Sequence, residues 1–180
     1  MTLSIDIQWL DENLYSKIEI VQDVTNLINQ AFSSSEKGIW KNEVGRTSIK
    51  EVATFIKNKE ILLAKFKEEI VGCAHVRAAE KDIGGFGMLS VDEKYKKMGI
   101  ATEVVNFIEQ WYQQQSFQKI QLELLMPQKS IHPSKEMLKN WYERIGYQLI
   151  SNESFENSYE HLAQKLAIPC ELVIFQKSLK

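Results

Sequence analysis

Three features of this sequence predict a single α+β domain in which a sheet packs against helices. The chain has 180 residues, which fits one domain with a core large enough to need no staples. Two periods alternate along it: short stretches with an apolar residue at every second position, and longer ones with apolar residues three and four apart. Between Met88 and Trp111, an apolar strand runs into a basic glycine turn and then into an amphipathic helix. No repeat, low-complexity tract or linker divides the chain, so residues 1–180 are read as one domain.

In order, Ile5, Ile7 and Trp9 alternate with polar residues and predict a strand with one buried face. Ser16 and Glu19 have capping-box spacing ahead of the stripe Ile20, Val24, Leu27, Ile28 and Ala31, which predicts a helix. Residues 33–47 are polar, contain Gly38 and Gly45, and read as a loop carrying Trp40 and Arg46. Ser48 and Glu51 repeat the capping spacing before Ile49, Val52, Phe55 and Ile56, a helix expected to end near Asn58. Residues 61–66 and 70–76 are apolar runs joined by Lys67-Glu68-Glu69, a hairpin. A polar, glycine-bearing link through Asp82, Gly84 and Gly85 is expected to lead to the next strand, Met88-Leu89-Ser90-Val91. After the helix of Ile100, Val104, Phe107, Ile108 and Trp111, the alternation of Ile120, Leu122 and Leu124 predicts a strand closed by Pro127. Leu138, Trp141, Tyr142 and Ile145 share a helix face that begins around His132-Pro133-Ser134 and stops at Gly146. Residues 147–150 and 170–175 read as the last strands, with a short helix at Tyr159, Leu162 and Leu166 between them.

The turn Lys96-Lys97-Met98-Gly99-Ile100-Ala101-Thr102 has the makings of an anion site. The first amides of a helix have no intrahelical partner and sit at the positive end of its dipole, so phosphate oxygens can bind there. Gly99 lets an anion approach the backbone, Ala101 keeps the first turn uncluttered, and Lys96 and Lys97 add cations. A nucleoside-triphosphate loop fits less well, because neither an upstream glycine nor a terminal Gly-Lys-Ser/Thr is present.

This segment resembles the diphosphate-binding motif of the GNAT superfamily of acyl-CoA-dependent N-acetyltransferases: Gln or Arg, two residues, Gly, one residue, Gly or Ala. Lys96, Gly99 and Ala101 stand at those places, with lysine as the basic substitute, after a family-like Leu89-Ser90-Val91-Asp92 strand end. Trp141-Tyr142-Glu143-Arg144-Ile145-Gly146-Tyr147 is similar to a second family element, a tyrosine three residues before Gly and then Phe or Tyr. The order of elements also matches in outline. The resemblance implies a three-layer fold with a mixed, mostly antiparallel central sheet flanked by helices. It implies acetyl-CoA as co-substrate, with backbone of Leu89, Ser90 and Val91 on the pantetheine and the turn from Lys97 to Thr102 on the diphosphate. It also implies Tyr142 beside the cofactor sulfur, where an O–H donor can stabilise or protonate the leaving thiolate.

Two family features are absent. Lys135 stands where an Asn seven residues before the tyrosine commonly contacts the cofactor. The strand start Gly84-Gly85-Phe86-Gly87-Met88 has no carboxylate where many relatives carry a Glu that deprotonates the amine through water. The base is therefore open among Glu123, Glu80 and Asp82, each of which reads more readily as a solvated carboxylate. His75 and His132 can titrate near neutrality but read more readily as structural.

The predicted activity is N-acetylation of a primary amine by direct attack in a ternary complex. Trp40 and Arg46, with the segment around Tyr159 and His161, are expected to surround the acceptor. A non-catalytic acyl-CoA-binding module and a purely structural protein are the alternatives. Lysine plus arginine number 22 against 24 acidic residues, a balance that argues against nucleic acid or anionic lipid as partner and favours a small-molecule acceptor over a basic peptide tail. Scattered His75, His132 and His161 and isolated Cys73 and Cys170 imply no metal. Lacking a signal peptide or a membrane-length apolar run, the chain is expected to be cytoplasmic, as a monomer or homodimer.

Overall fold

The computed structural model describes residues 4–42 and 45–180. Seven strands form one sheet in the order β1-β2-β3-β4-β5-β7-β6. They are β1 (Ile5–Trp9), β2 (Ile61–Phe66), β3 (Glu69–Val76), β4 (Ile83–Val91), β5 (Lys119–Pro127), β6 (Gln148–Ser154) and β7 (Cys170–Ser178). Every neighbouring pair is antiparallel except β4 and β5. The mixed, mostly antiparallel α+β arrangement expected from the sequence is therefore the one observed.

The strands at the centre of the sheet are buried on both faces, and β2 shows how this sorts side chains. Ile61 and Leu63 pack with Val24, Ile28, Val52 and Ile56 of helices α1 (Ile18–Ser35) and α2 (Ile49–Lys57). Leu62 and Ala64 point the other way, into a cluster with Ile100, Val104, Ile108 and Tyr112 of α3 (Ile100–Gln114) and Tyr142 of α4 (Pro133–Arg144). This produces three layers. A third cluster joins Ile39, Leu125, Phe155, Leu172 and Ile174 under the connection between β6 and β7.

Local signals hold in several places. Ser48 caps α2 by accepting from the Glu51 amide at 3.2 Å, and Asn58 ends the helix. Pro133 opens α4, and Gly146 adopts φ 100° beyond its end. Other boundaries move. Ser16 closes a 3₁₀ turn (Glu12–Ser16) that Asp11 caps instead, and Lys17 stands before α1 without a side-chain cap. The helix α1 runs on to Ser35, and two one-turn helices, α5 (Phe155–Ser158) and α6 (Glu160–Ala163), replace the single short helix expected before β7. The strands β6 and β7 extend to Ser154 and Ser178 because they pair with each other, and β7 pairs with all of β5.

The largest departure is at β4, where the glycine-bearing link is strand from Ile83 onward. A Cβ at Gly84 would lie 2.6 Å from the Tyr112 ring, and one at Gly85 would lie 2.6 Å from the Arg77 carbonyl. Glycine is needed there for close approach, and the Tyr112 hydroxyl then donates to the Gly85 carbonyl at 2.9 Å. Further along, Cys73 faces Ser90 and His75 faces Gly87, so Ala74 opposes both Met88 and Leu89. This is a β-bulge, with Met88 at φ 50°.

Candidate active site

The parallel pairing of β4 with β5 covers only Ile83 to Gly85 against Lys119 to Gln121. Beyond Gly85, β4 stays paired with β3 through its bulge, while β5 stays bonded to β7. The two strands therefore part, and half of the β4 backbone groups from Phe86 onward face an opening instead of a ladder. A cavity of about 390 Å³ fills the opening.

At the far end of β4 lies the turn. Asp92 caps a short 3₁₀ turn (Glu93–Tyr95), Lys97 takes φ 65°, and Gly99 takes φ 86° as the residue before α3. The first backbone donor to re-enter the helix pattern is Glu103, to the Gly99 carbonyl at 3.1 Å. Among the described residues, the amides of Lys97, Met98, Gly99, Ile100, Ala101 and Thr102 have no acceptor. A Cβ on Gly99 would meet nothing within 4 Å, so the positive φ, not crowding, selects glycine. The two lysines differ: Lys96 is paired with Glu93, whereas Lys97 has no ion-pair partner among the described residues. Leu89 lines the cavity, and buried Ser90 donates its hydroxyl to the Met88 carbonyl at 3.0 Å, bracing the bulge.

Within the cavity, Tyr142 projects from α4. Its ring packs against Phe86, Tyr147 and Phe175, and its hydroxyl has no hydrogen-bond partner among the described residues. Burial holds the phenol well above its ordinary value, so it is a neutral donor. Beside it, Lys135 is 2% exposed and pairs with Glu36 of the α1 end at 2.6 Å. The second oxygen of Glu36 accepts from Trp40 Nε1 at 2.7 Å. Burial alone would raise the Glu36 carboxyl, but Lys135, Arg46 and these hydrogen bonds outweigh it and hold the group below its usual range. The residue at the family's Asn position thus bridges the two sides of the opening.

A histidine completes the lining. His75 of β3 stacks on Phe55 with centroids 3.9 Å apart, and its Nε2 lies 2.9 Å from the Glu60 carboxylate. It faces Gly87, where a Cβ would enter open space. Continued past Gly85 and Gln121, the parallel register sets Glu123 of β5 level with Gly87. Glu123 accepts from the Tyr159 hydroxyl at 2.7 Å; burial and that bond push the phenol up to about 12.

Of the acceptor residues expected from sequence, Arg46 lines this cavity, together with Glu123 and Tyr159. Trp40 does not; it packs edge-on to Phe155 and lines a smaller recess of about 90 Å³ with Phe32, Glu36 and Arg46. Glu80 and Asp82 lie outside the lining, exposed. His132 precedes α4 and bonds the Lys37 carbonyl at 3.0 Å, a structural tie. Sequence reading missed the pairs Glu36–Lys135 and Glu60–His75. Only His75, between Ala74 and Val76 in an apolar run, carried a local signal; Glu36, Lys135 and Glu60 stand among or beside polar neighbours. The cysteines are buried free thiols, pushed up by burial to about 12 for Cys73 and about 11 for Cys170. No group of metal-ligating residues occurs, and no helix is long and apolar enough to cross a membrane, among the described residues.

Comparison with known proteins agrees with this architecture. No curated protein matches the chain by sequence. Solved structures match it in fold. The PaiA N-acetyltransferase of Thermoplasma acidophilum, in complex with coenzyme A, superposes with a TM-score of 0.69 at 14% identity, covering 97% of this chain and 99% of that one. A ribosomal-protein-alanine N-acetyltransferase of Brucella melitensis gives 0.68 at 13% identity over 97% and 99%. The IAA acetyltransferase of Bacillus cereus gives 0.64 at 13% identity over 98% and 100%. The family model described as acetyltransferase (GNAT) family matches residues 21–147, from within α1 to the tyrosine after α4, and the chain belongs to that family.

Proposed function

We propose that the protein transfers an acetyl group from acetyl-CoA to the primary amine of a small molecule by direct attack, with both substrates bound together. The observation that carries this reading is continuity. Six unpaired amides at the start of α3 lead along the unbonded edge of β4 into a cavity holding a neutral phenol and a His–Glu pair. Acetyl-CoA, as substrate, supplies a thioester whose carbonyl carbon the amine attacks and whose sulfur departs.

The amides from Lys97 to Thr102, with Lys97 and Lys96, hold the diphosphate; backbone of Leu89, Ser90 and Val91 guides the pantetheine. Tyr142 donates its hydroxyl hydrogen to the sulfur as charge grows there. Burial makes a phenolate costly at this position, so stabilisation by a hydrogen bond is favoured over complete proton transfer. His75 takes the proton released by the amine, and Glu60 fixes the imidazole orientation through Nε2, leaving Nδ1 as the acceptor. This fills the role for which the start of β4 supplies no carboxylate. Direct transfer is preferred to an acyl-enzyme because Cys73 is wholly buried and its thiol is pushed up to about 12.

The test is free-thiol release from acetyl-CoA across a panel of primary amines, run beside calorimetric titration with CoA. Amine-dependent release is expected, with CoA binding lost in Gly99→Glu. CoA binding without release by any amine would leave a non-catalytic acyl-CoA module; no CoA binding would remove the reading altogether.

A further inference from the structure

We propose that the acceptor amine carries a carboxylate a few bonds away and that Arg46 is the residue that binds it. The inference rests on the acetyl-transfer reading and narrows its substrate class.

Arg46 is held in place with no ion-pair partner within contact distance among the described residues. On one side, Thr47 is clamped by Asn29, which accepts from the Thr47 amide at 3.0 Å and donates to the Thr47 carbonyl at 3.1 Å. On the other, the guanidinium carbon lies 5.1 Å from the centre of the Phe32 ring. The side chain borders both the main cavity and the smaller recess behind it. Its Nε is buried and lacks a hydrogen-bond partner among the described residues. A buried donor left unsatisfied is costly, so a fixed arginine in this condition fits a partner that arrives with the substrate.

The nearest carboxylate cannot serve. Glu36 has Oε1 on Lys135 and Oε2 on the Trp40 indole. Glu36 has its ion pair with Lys135 and feels Arg46 only through space, which leaves Arg46 and Arg77 against Glu123 among the charged groups lining the cavity. His75 is paired with Glu60, which lies outside the lining. The lining therefore carries one cation more than it has carboxylates to match, and the excess charge sits on a planar fork that suits a carboxylate.

The opposite wall suits the other end of such a molecule. Glu123 and Tyr159 stand across the opening from His75, and Arg46 acts electrostatically on Tyr159, lowering its tendency to stay protonated. An ammonium at Glu123 and a carboxylate at Arg46 would orient the amine between His75 and Tyr142. The cavity of about 390 Å³ has to hold the acetyl-bearing end of the cofactor as well as the acceptor, which restricts the acceptor to a small molecule such as a free amino acid.

Matched pairs test this: phenylalanine with 2-phenylethylamine, tyrosine with tyramine, lysine with 1,5-diaminopentane, each assayed for thiol release with acetyl-CoA. For the pair that turns over best, the carboxylate member is expected to have a kcat/KM at least about ten-fold higher, since a site built to pair a polar group discriminates strongly against its absence. Arg46→Gln should bring the two members within about three-fold of each other by raising KM for the acid alone, and Arg46→Lys should restore part of the preference. Melting curves establish that the variants fold. A wild-type preference for the decarboxylated members, or equal losses for both members in Arg46→Gln, would overturn the proposal while leaving acetyl transfer intact. If no compound releases thiol, the transfer reading fails by itself; calorimetry of the same compounds on the CoA-bound protein then decides, and acids binding the wild type no better than Arg46→Gln would overturn the assignment.

Discussion

The turn from Lys96 to Thr102 and the cavity between β4 and β5 are built on opposite plans. The turn is exposed from Lys96 to Gly99, contiguous in sequence, and offers mainly backbone: six amides, a glycine with positive φ and two lysines. The cavity is a cleft assembled from side chains of α1, β3, β5, α4 and the connection between β6 and β7. A backbone site depends on local conformation, so one substitution alters ligand affinity and leaves the fold in place. A side-chain site depends on pairings across the whole chain, so its substitutions divide into those that stop chemistry and those that loosen the core.

The sharpest way to break this division is at the two groups assigned to proton handling. Tyr142→Phe and His75→Gln are each expected to lower kcat by about 10² to 10⁴-fold, the usual range for positioned acids and bases. CoA affinity by calorimetry should be unchanged. Wild-type turnover of Tyr142→Phe in a chemistry-limited assay would return the ring to a packing role.

Next in size is the buried pair. Glu36→Ala leaves Lys135 charged and unmatched, and is expected to destabilise the fold by about 3–5 kcal/mol in chemical denaturation. Glu36→Leu with Lys135→Met should recover most of that loss. The pH dependence follows from the direction of the shift. The Glu36 carboxyl is held below its ordinary value near 4.5 in the fold, so its contribution is present above that value and is lost as pH falls through the folded one. Unfolding curves across the acid range should be flatter in the double variant; identical slopes would remove Glu36 as a source of acid sensitivity.

At the turn, the effects are smaller and concern binding. Gly99→Ala has space for its methyl but not the favoured φ, a strain of roughly 1–2 kcal/mol, visible as a modest drop in melting temperature together with weaker CoA binding. Lys97→Ala should weaken CoA by about two- to five-fold and Lys96→Ala by less, because Lys96 already shares its charge with Glu93. Both losses should shrink in high salt. A larger loss at Lys96 would show that the Glu93 pairing dissolves when ligand binds.

The same contrast explains what the amino-acid sequence made legible. The start of α3, the Ser48 cap, the β2–β3 hairpin and the alternation of β5 rest on neighbours a few residues apart, and they appear where expected. The turn and Tyr142 could be named from short motifs. The start of β4 could not, because three glycines lower strand propensity and the reason for two of them is a clash with Tyr112 or Arg77, remote in sequence. The Ser16 capping box failed because a 3₁₀ turn, capped from Asp11, had already taken up that residue. Glu36 and Lys135 stand 99 residues apart, and Glu60 and His75 meet only when two antiparallel strands bring them level.

The joint between β4 and β5 has a consequence for how this sequence can drift. Gly84 has no room for a methyl group because the face of Tyr112 occupies it, while the same ring delivers its hydroxyl to the next residue. Neither position is free to vary alone: enlarging one displaces an aromatic ring, and shrinking the other opens a hole beneath a sheet seam held by only three register pairs. Divergence here is confined to paired replacements, a small residue gained at 112 permitting a larger one at 84, so the two sites should change together or not at all.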